Sequence, residues 1–344
     1  MTKSLLQFTS KSIYCPEADI HIDPWTPVER AIITHAHSDH ARMGSKNYLA
    51  HKDSEAILRL RLGEDISLQT VEYGEKFTIN GITFSLHPAG HVIGSAQIRI
   101  EKDGEVWVVS GDYKTEDDRF SAPFEPVKCN VFVTESTFGL PIYTWQSQQK
   151  VIDEINAWHL KNKIDGKCSV LMGYALGKMQ RILKNITIGD DRIFAHGAVY
   201  AVNERLRKAG FDLPEVTLVT KDTNKKLFKG ALVLAPSGAD GSLWMKKFNP
   251  YSMGFCSGWM MVRGAKNRRA LDQGFVLSDH ADWAGLNKTI NETGAEKIFV
   301  THGFTSAFSR WLNENNIWSA EVKTMYGTEE ENQVADEQLN SSAE

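Results

Sequence analysis

Six consecutive residues, His35-Ala36-His37-Ser38-Asp39-His40, hold three imidazoles and a carboxylate. Imidazole nitrogen suits zinc, and a carboxylate beside it adds a hard oxygen ligand. With 11 histidines in 344 residues, three within six positions is improbable for a chance surface loop. Three more residues could serve a second metal: His91 in Pro88-Ala89-Gly90-His91, Asp112 in Ser110-Gly111-Asp112-Tyr113-Lys114, and His302 in Thr301-His302-Gly303. Each adjoins a glycine, which lets backbone pack close to an ion. Two divalent cations offset by Asp39, Asp112 and a bridging hydroxide leave about one net positive charge, which suits an anionic phosphodiester. A water shared by two cations has a strongly lowered pKa and becomes the nucleophile.

Strand ends must aim these side chains. Arg30-Ala31-Ile32-Ile33-Thr34 is an apolar run that leads straight into the histidines. Phe77 to Leu86 alternates about Asn80-Gly81, and Gln97-Ile98-Arg99-Ile100 and Val106-Trp107-Val108-Val109 flank Asp103-Gly104. Both patterns predict hairpins. Val131-Phe132-Val133 is a further short strand. The first 140 residues therefore read as strands broken by turns. From about 145 to 270 helices and strands alternate. A helix over 147–161 carries Val151, Ile152, Ile155 and Trp158 on one face, Ser169 to Met172 is a buried-type strand, and a second helix covers 176–186. Such alternation predicts an α/β unit with a parallel sheet. After 270 comes a strand at Gly274 to Leu277, a helix, and a strand at Lys297 to Val300.

The HAHSDH run, with the downstream His, Asp and His, resembles the HxHxDH signature of the metallo-β-lactamase superfamily. The resemblance implies an αββα sandwich with its site along one edge. It implies that His35, His37 and His91 hold one zinc and that Asp39, His40 and His302 hold the other, with Asp112 bridging. Manganese could take the same ligands. Asp23, in Ile22-Asp23-Pro24, matches an upstream Asp that orients a ligand from behind.

Two further loops narrow the class. Thr134-Glu135-Ser136-Thr137-Phe138-Gly139 and Ser278-Asp279-His280-Ala281-Asp282 resemble the acidic and histidine motifs of the β-CASP nucleases. A leaving oxygen needs a proton, and a histidine oriented by a carboxylate is a natural donor. His280 is thus the expected general acid and Glu135 its partner, although Glu135 could instead cap a helix. Gly173 to Gln180 resembles the loop and helix start of the inserted β-CASP cap, where backbone N–H groups can bind phosphate. Arg263, Lys266, Arg268 and Arg269, with Lys178 and Arg181, are candidate phosphate contacts; each could equally lie on a solvated charged face.

The resemblance spans roughly residues 5 to 325 and is closest to the bacterial ligase-associated DNA exonucleases. It implies a metallo-β-lactamase catalytic domain over 1–143 and 271–327, a β-CASP cap over 144–270, and an acidic, disordered tail over 328–344. It further implies a DNA-repair exonuclease, associated with an ATP-dependent DNA ligase and a large DNA helicase. Artemis-type relatives point to 5′→3′ polarity. RNA-processing members carry His at the position of His302 and DNA-specific eukaryotic ones carry Val, so an RNA-processing nuclease is the alternative. A small-molecule metallo-hydrolase is a third reading, but it would need neither His280, Glu135 nor a cap.

Composition agrees with a globular enzyme, at 42% hydrophobic and 24% charged residues. No apolar run reaches the roughly 20 residues that span a bilayer, and no secretory leader is legible, so a cytoplasmic protein without membrane contact is expected. Cys15, Cys129, Cys168 and Cys256 are scattered without a CxxC pair, which excludes a legible cysteine zinc site and marks them as apolar fillers. The net charge of −4 argues against a nucleic-acid partner only at first sight. Residues 328–344 carry six acids and no Lys or Arg, and without them the balance is +2.

Overall fold

A computed structural model describes residues 4–189, 192–262 and 271–326. The phosphate-contact candidates Arg263, Lys266, Arg268 and Arg269, and the acidic tail, lie outside these residues. Two compact units divide the chain: Met1–Thr144 with His280–Thr328, and Trp145–Asp279 with Glu329–Glu344.

The first unit holds two sheets among the described residues. One runs in chain order through β1 (Gln7–Phe8), β2 (Ile13–Cys15), β3 (Ile20–Ile22), β4 (Arg30–Ile32), β5 (Asn47–His51) and β6 (Leu68–Val71). Its first three strands are antiparallel and the rest parallel. The other begins with β7 (Lys76–Ile79), β8 (Ile82–Pro88), β9 (Ala96–Lys102), β10 (Glu105–Val109) and β11 (Val131–Ser136). It is completed by the last two strands of the chain, β18 (Lys297–Gly303) and β19 (Ser319–Glu321), which pair parallel beyond β11. The β7–β8 and β9–β10 hairpins turn at Asn80-Gly81 and Asp103-Gly104, all four residues with positive φ, as the tight turns that match strand twist require.

Strand alternation builds two cores at once. Ile13, Ile22 and Ile32 of the first sheet pack with Phe84, Ile98, Ile100 and Val133 of the second. The opposite face of the second sheet, through Val108, Phe132, Ile298 and Val300, is covered by α5 (Trp283–Thr293) and α6 (Thr305–Glu314), which contribute Leu286, Ile290, Phe308 and Leu312. One short helix, α1 (Glu55–Leu62), interrupts the stretch expected to hold strands alone. Its buried face is Ile57, Leu58 and Arg61, whose guanidinium donates to the Ala36 carbonyl, and the interleaved charges leave little helical period to read.

The second unit carries one sheet among the described residues, in the order β14 (Thr217–Leu218), β13 (Ile193–Ala195), β15 (Leu232–Ala235), β12 (Cys168–Met172), β16 (Tyr251–Cys256) and β17 (Gln273–Phe275). Every pairing is parallel, as the alternating helices and strands predict. A parallel sheet needs both faces covered. The helices α2 (Gln148–Ile164), α3 (Lys178–Asn185) and α4 (Gly197–Lys208) cover one, with Val151, Ile182 and Val199 against Leu171, Leu232 and Leu234. Phe228 and Phe248 pack against Val170 and Val233 on the other. Because Gln273–Phe275 pairs with β16, the first unit resumes at His280 and not at 271. No helix among the described residues is long and apolar enough to cross a membrane.

Candidate metal centre

The HAHSDH run begins after Thr34, just past the end of β4, and the chain there is pinned by Asp23, directly after the neighbouring strand β3. Asp23 Oδ1 accepts from the Thr34 backbone N–H at 2.8 Å, and Oδ2 accepts from the Thr34 hydroxyl at 2.5 Å. Asp23 Oδ2 also lies 2.7 Å from His40 Nδ1, an arrangement that leaves Nε2 of that ring for a cation. To make these bonds Asp23 adopts a φ of 41°, and His302 adopts 52°. Both are left-handed conformations that a non-glycine residue takes at a cost, and such costs concentrate at functional sites. Asp112 follows β10 through Gly111, where a Cβ would meet the Thr34 side chain at 2.7 Å. Only glycine lets these two loops approach so closely.

Two donor groups result, each with ligand atoms within 4.8 Å of one another: His35, His37 and His91 in one, and Asp39, His40, Asp112 and His302 in the other. Asp112 stands between them. Its Oδ2 lies 3.6 Å from His35 Nε2, 3.4 Å from His40 Nε2 and 3.9 Å from His91 Nε2, while its Oδ1 lies 3.3 Å from His302 Nδ1. His91 Nε2 and His37 Nδ1 are 3.0 Å apart. All seven residues are buried or nearly so.

The donor set fits divalent cations. His35 Nε2, Asp39 Oδ2 and His40 Nε2 are fully buried, and none has a hydrogen-bond partner among the described residues. A buried polar atom without a partner is costly, and three of them, divided between the two donor groups, call for bound cations. Titration behaviour agrees. Burial, with His40 and His91 nearby, holds His35 well below the ordinary imidazole range, in the neutral form that ligates. Burial also opposes charge on His40, yet Asp39, Asp112 and Asp23 hold it well above that range. His302 is raised against its burial by Asp112. Burial alone would raise Asp39 and Asp112, but His40 drives both below the usual carboxylate range, helped by His302. Without cations, protons on the two histidines balance the carboxylates; a bound cation displaces them.

His280 and Glu135 meet beside this centre. His280 Nδ1 lies 2.9 and 3.1 Å from the two Glu135 oxygens. Glu135 Oε1 also accepts from the Tyr113 backbone N–H at 2.7 Å, and Oε2 accepts from the Thr137 hydroxyl. Glu135 therefore sits in β11 and holds a histidine; it does not cap a helix, since α2 begins at Gln148. The His280 ring is 4.6 Å from that of His91, and His91, Asp112 and His280 form a third group of possible metal donors.

Lys178 and Arg181 are placed differently from their reading as contacts to an entering strand. Both side chains are buried in the second unit. Lys178 Nζ lies 3.4 Å and Arg181 Nη1 3.2 Å from Asp279, and Arg181 Nε donates to Gln148 at 2.5 Å. Their charge is spent on the protein's own carboxylate, so they offer none to a surface phosphate. The helix start beside them is likewise engaged, because the Gly177 N–H donates to the Gln180 side chain at 2.8 Å. Two residues not singled out from the sequence belong to the centre. Thr34 couples Asp23 to the histidine run, and its place directly before His35 was the available signal. Tyr326 stacks on His40 with ring centroids 4.5 Å apart, and no local pattern marks it.

No family model matches the chain. It is similar to a probable DNA ligase of Opitutus terrae, with 27% identity over 313 residues that cover 90% of this chain and 30% of that protein. It is also similar to the endoribonuclease YSH1 of Yarrowia lipolytica, with 33% identity over 120 residues, 34% of this chain and 14% of that one. The chain thus spans less than a third of the length of these curated relatives. Among solved structures it is similar to a protein of unknown function from Enterococcus faecalis V583, with a TM-score of 0.60, 12% identity, and coverage of 89% of this chain and 81% of that one. That likeness is one of fold alone.

Proposed function

We infer that this chain, which belongs to the metallo-β-lactamase family of β-CASP nucleases, is a metal-dependent DNA exonuclease. Its first unit is then the family's αββα sandwich and Trp145–Asp279 the inserted cap. The observation that carries the reading is the pair of donor groups meeting at Asp112, with the His280–Glu135 pair beside them.

His35, His37 and His91 would hold one cation and Asp39, His40 and His302 the other, with Asp112 between. Two zinc ions, or manganese on the same ligands, would supply Lewis acidity and a water acidic enough to attack a phosphodiester at neutral pH. The protein's own part is orientation and proton transfer. Asp23 holds His40 by Nδ1 and keeps Nε2 for ligation. Glu135 holds His280 by Nδ1, fixing its tautomer, so that the other ring nitrogen delivers a proton to the leaving oxygen. With cations bound, the buried carboxylates would offset part of their charge and leave a site that prefers an anion.

Similarity over 90% of the chain to a protein named a probable DNA ligase supports DNA as the substrate and a ligase as a working partner. A DNA helicase as a further partner and a place in cytoplasmic DNA repair rest on the sequence resemblance alone. A ribonuclease reading has its own observation, the similarity to an endoribonuclease, together with His302 at the position where RNA-processing members carry His. One experiment separates them: digestion of DNA and RNA strands of identical sequence, labelled at either end, with metal analysis of the same preparation. Immediate release of the 5′ label from DNA and stepwise shortening of the 3′-labelled strand, with two metal equivalents bound, are the expected result. Preferential cleavage of RNA overturns the DNA assignment.

A further inference from the structure

Past the edge strand β19, the chain returns to the metal centre. Val322 still donates to the Val300 carbonyl at 2.9 Å. Arg42 then fastens the segment: its Nη2 donates to the Met325 carbonyl at 3.0 Å, while its Nε and Nη1 reach the carbonyls of Asp39 and Trp25 at 3.4 Å. The next residue, Tyr326, lies almost flat on the His40 imidazole, with planes 11° apart. Trp25 meets its edge at 5.6 Å, and the His302 ring is 5.9 Å away.

His40 needs this contact more than the other histidines do. In the first donor group the rings of His35, His37 and His91 brace one another edge-on, with centroids 4.7 to 4.9 Å apart. Among the described residues the His40 ring meets that cluster through His35, at 4.1 Å, and meets the His302 ring at 6.1 Å, while its bond to Asp23 fixes one ring atom without fixing the ring plane. A parallel aromatic face fixes the plane and keeps water from one side of the ring.

We propose that Tyr326 is a positioning residue for the second metal group: its ring locks the plane of His40 so that Nε2 stays aimed with Asp39, Asp112 and His302. The inference rests on the two-metal reading above. Partners that orient a metal-binding histidine typically contribute roughly 10- to 100-fold in affinity. Only the group that contains His40 should feel the loss.

The test is zinc binding to the metal-stripped full chain, measured against a chromophoric chelator, for the wild type and for Tyr326→Phe, Tyr326→Leu and Tyr326→Ala. Wild type and Tyr326→Phe should bind two equivalents with matching affinities. Tyr326→Leu and Tyr326→Ala should bind one equivalent normally and the other about 10-fold or more weakly. Cobalt absorption of the second equivalent should change in the same two variants and recover in Tyr326→Phe. Two unchanged equivalents in Tyr326→Leu overturn the proposal, and so does equal weakening of both, which would mark a general loss of structure. A Phe variant as weak as Ala also overturns it, by shifting the role to the hydroxyl. A wild type that binds fewer than two equivalents removes the two-metal reading itself, an outcome the variants cannot mimic.

Discussion

His280 Nδ1 lies 2.9 Å from Glu135 Oε2, and the same carboxylate is held by the Tyr113 backbone N–H and the Thr137 hydroxyl. A buried carboxylate tied at three points presents the histidine in one tautomer and one orientation. That geometry serves a general acid, and it also serves a metal ligand, since His91 and Asp112 are within ligating reach. Substitution separates the two. His280→Ala should slow cleavage by about 10²- to 10⁴-fold and leave two metal equivalents in place. Loss of one equivalent would make His280 a ligand instead. Glu135→Gln should slow the reaction through the same histidine, so the double variant should be little worse than His280→Ala alone.

Asp112 and Asp39 differ in a way the distances make testable. Asp112 reaches histidines of both donor groups, whereas Asp39 approaches His40, at 3.4 Å, and His302, both of one group. Asp112→Ala should therefore weaken both metal equivalents, and Asp39→Ala one. Each loss should exceed the roughly 10- to 100-fold typical of an outer hydrogen-bond partner. Nuclease activity should vanish in both variants. Activity that persists in purified Asp39→Ala protein would remove the two-metal mechanism, and equal metal loss in the two variants would remove the asymmetry.

What could be read from sequence follows the range of the interactions involved. The Asn80-Gly81 and Asp103-Gly104 hairpins were legible because two residues with positive φ set each turn locally. The alternating second unit was legible because a parallel sheet needs apolar strands and covering helices at regular spacing. The HAHSDH run is local too, and so was visible at once. Lys178 and Arg181 misled because their burial depends on Asp279, about a hundred residues on, and a cationic helix start looks the same whether its partner is protein or phosphate. Tyr326 was invisible, since the Arg42 bond that fastens its segment spans 283 positions. The helix α1 escaped notice because its apolar face is only Ile57 and Leu58 among charges.

The thiols provide a pH test independent of the metals. Burial pushes Cys129, Cys168 and Cys256 up to about 12 and raises Cys15 as well. A thiol reacts as its thiolate, so a raised pKa suppresses reaction at any pH below it. At pH 8 a disulfide reagent should label none of the four in the native protein and all four after denaturation. Cys129 is the discriminating case, because it is only partly buried. Rapid native labelling there would show a thiol that burial does not raise and would contradict its half-buried placement.

Arg181 and the basic cluster after it should separate cleanly in a DNA-binding experiment. Arg181 is buried against Asp279, Gln148 and the Ser278 carbonyl. Removing one member of a buried ion pair leaves the other uncompensated and typically costs about 3–5 kcal/mol. Arg181→Ala should thus lower the stability of the second unit by that order, while the salt dependence of DNA binding per folded molecule keeps its slope. Charge reversal at Arg268 and Arg269 should do the opposite, leaving the melting transition in place, weakening binding, and flattening the slope of log K against log salt by about one for each phosphate no longer neutralised. A flattened slope in Arg181→Ala protein would mean that the arginine leaves its internal partners to meet DNA. An unchanged slope in the charge-reversal variant would return that cluster to a solvated face.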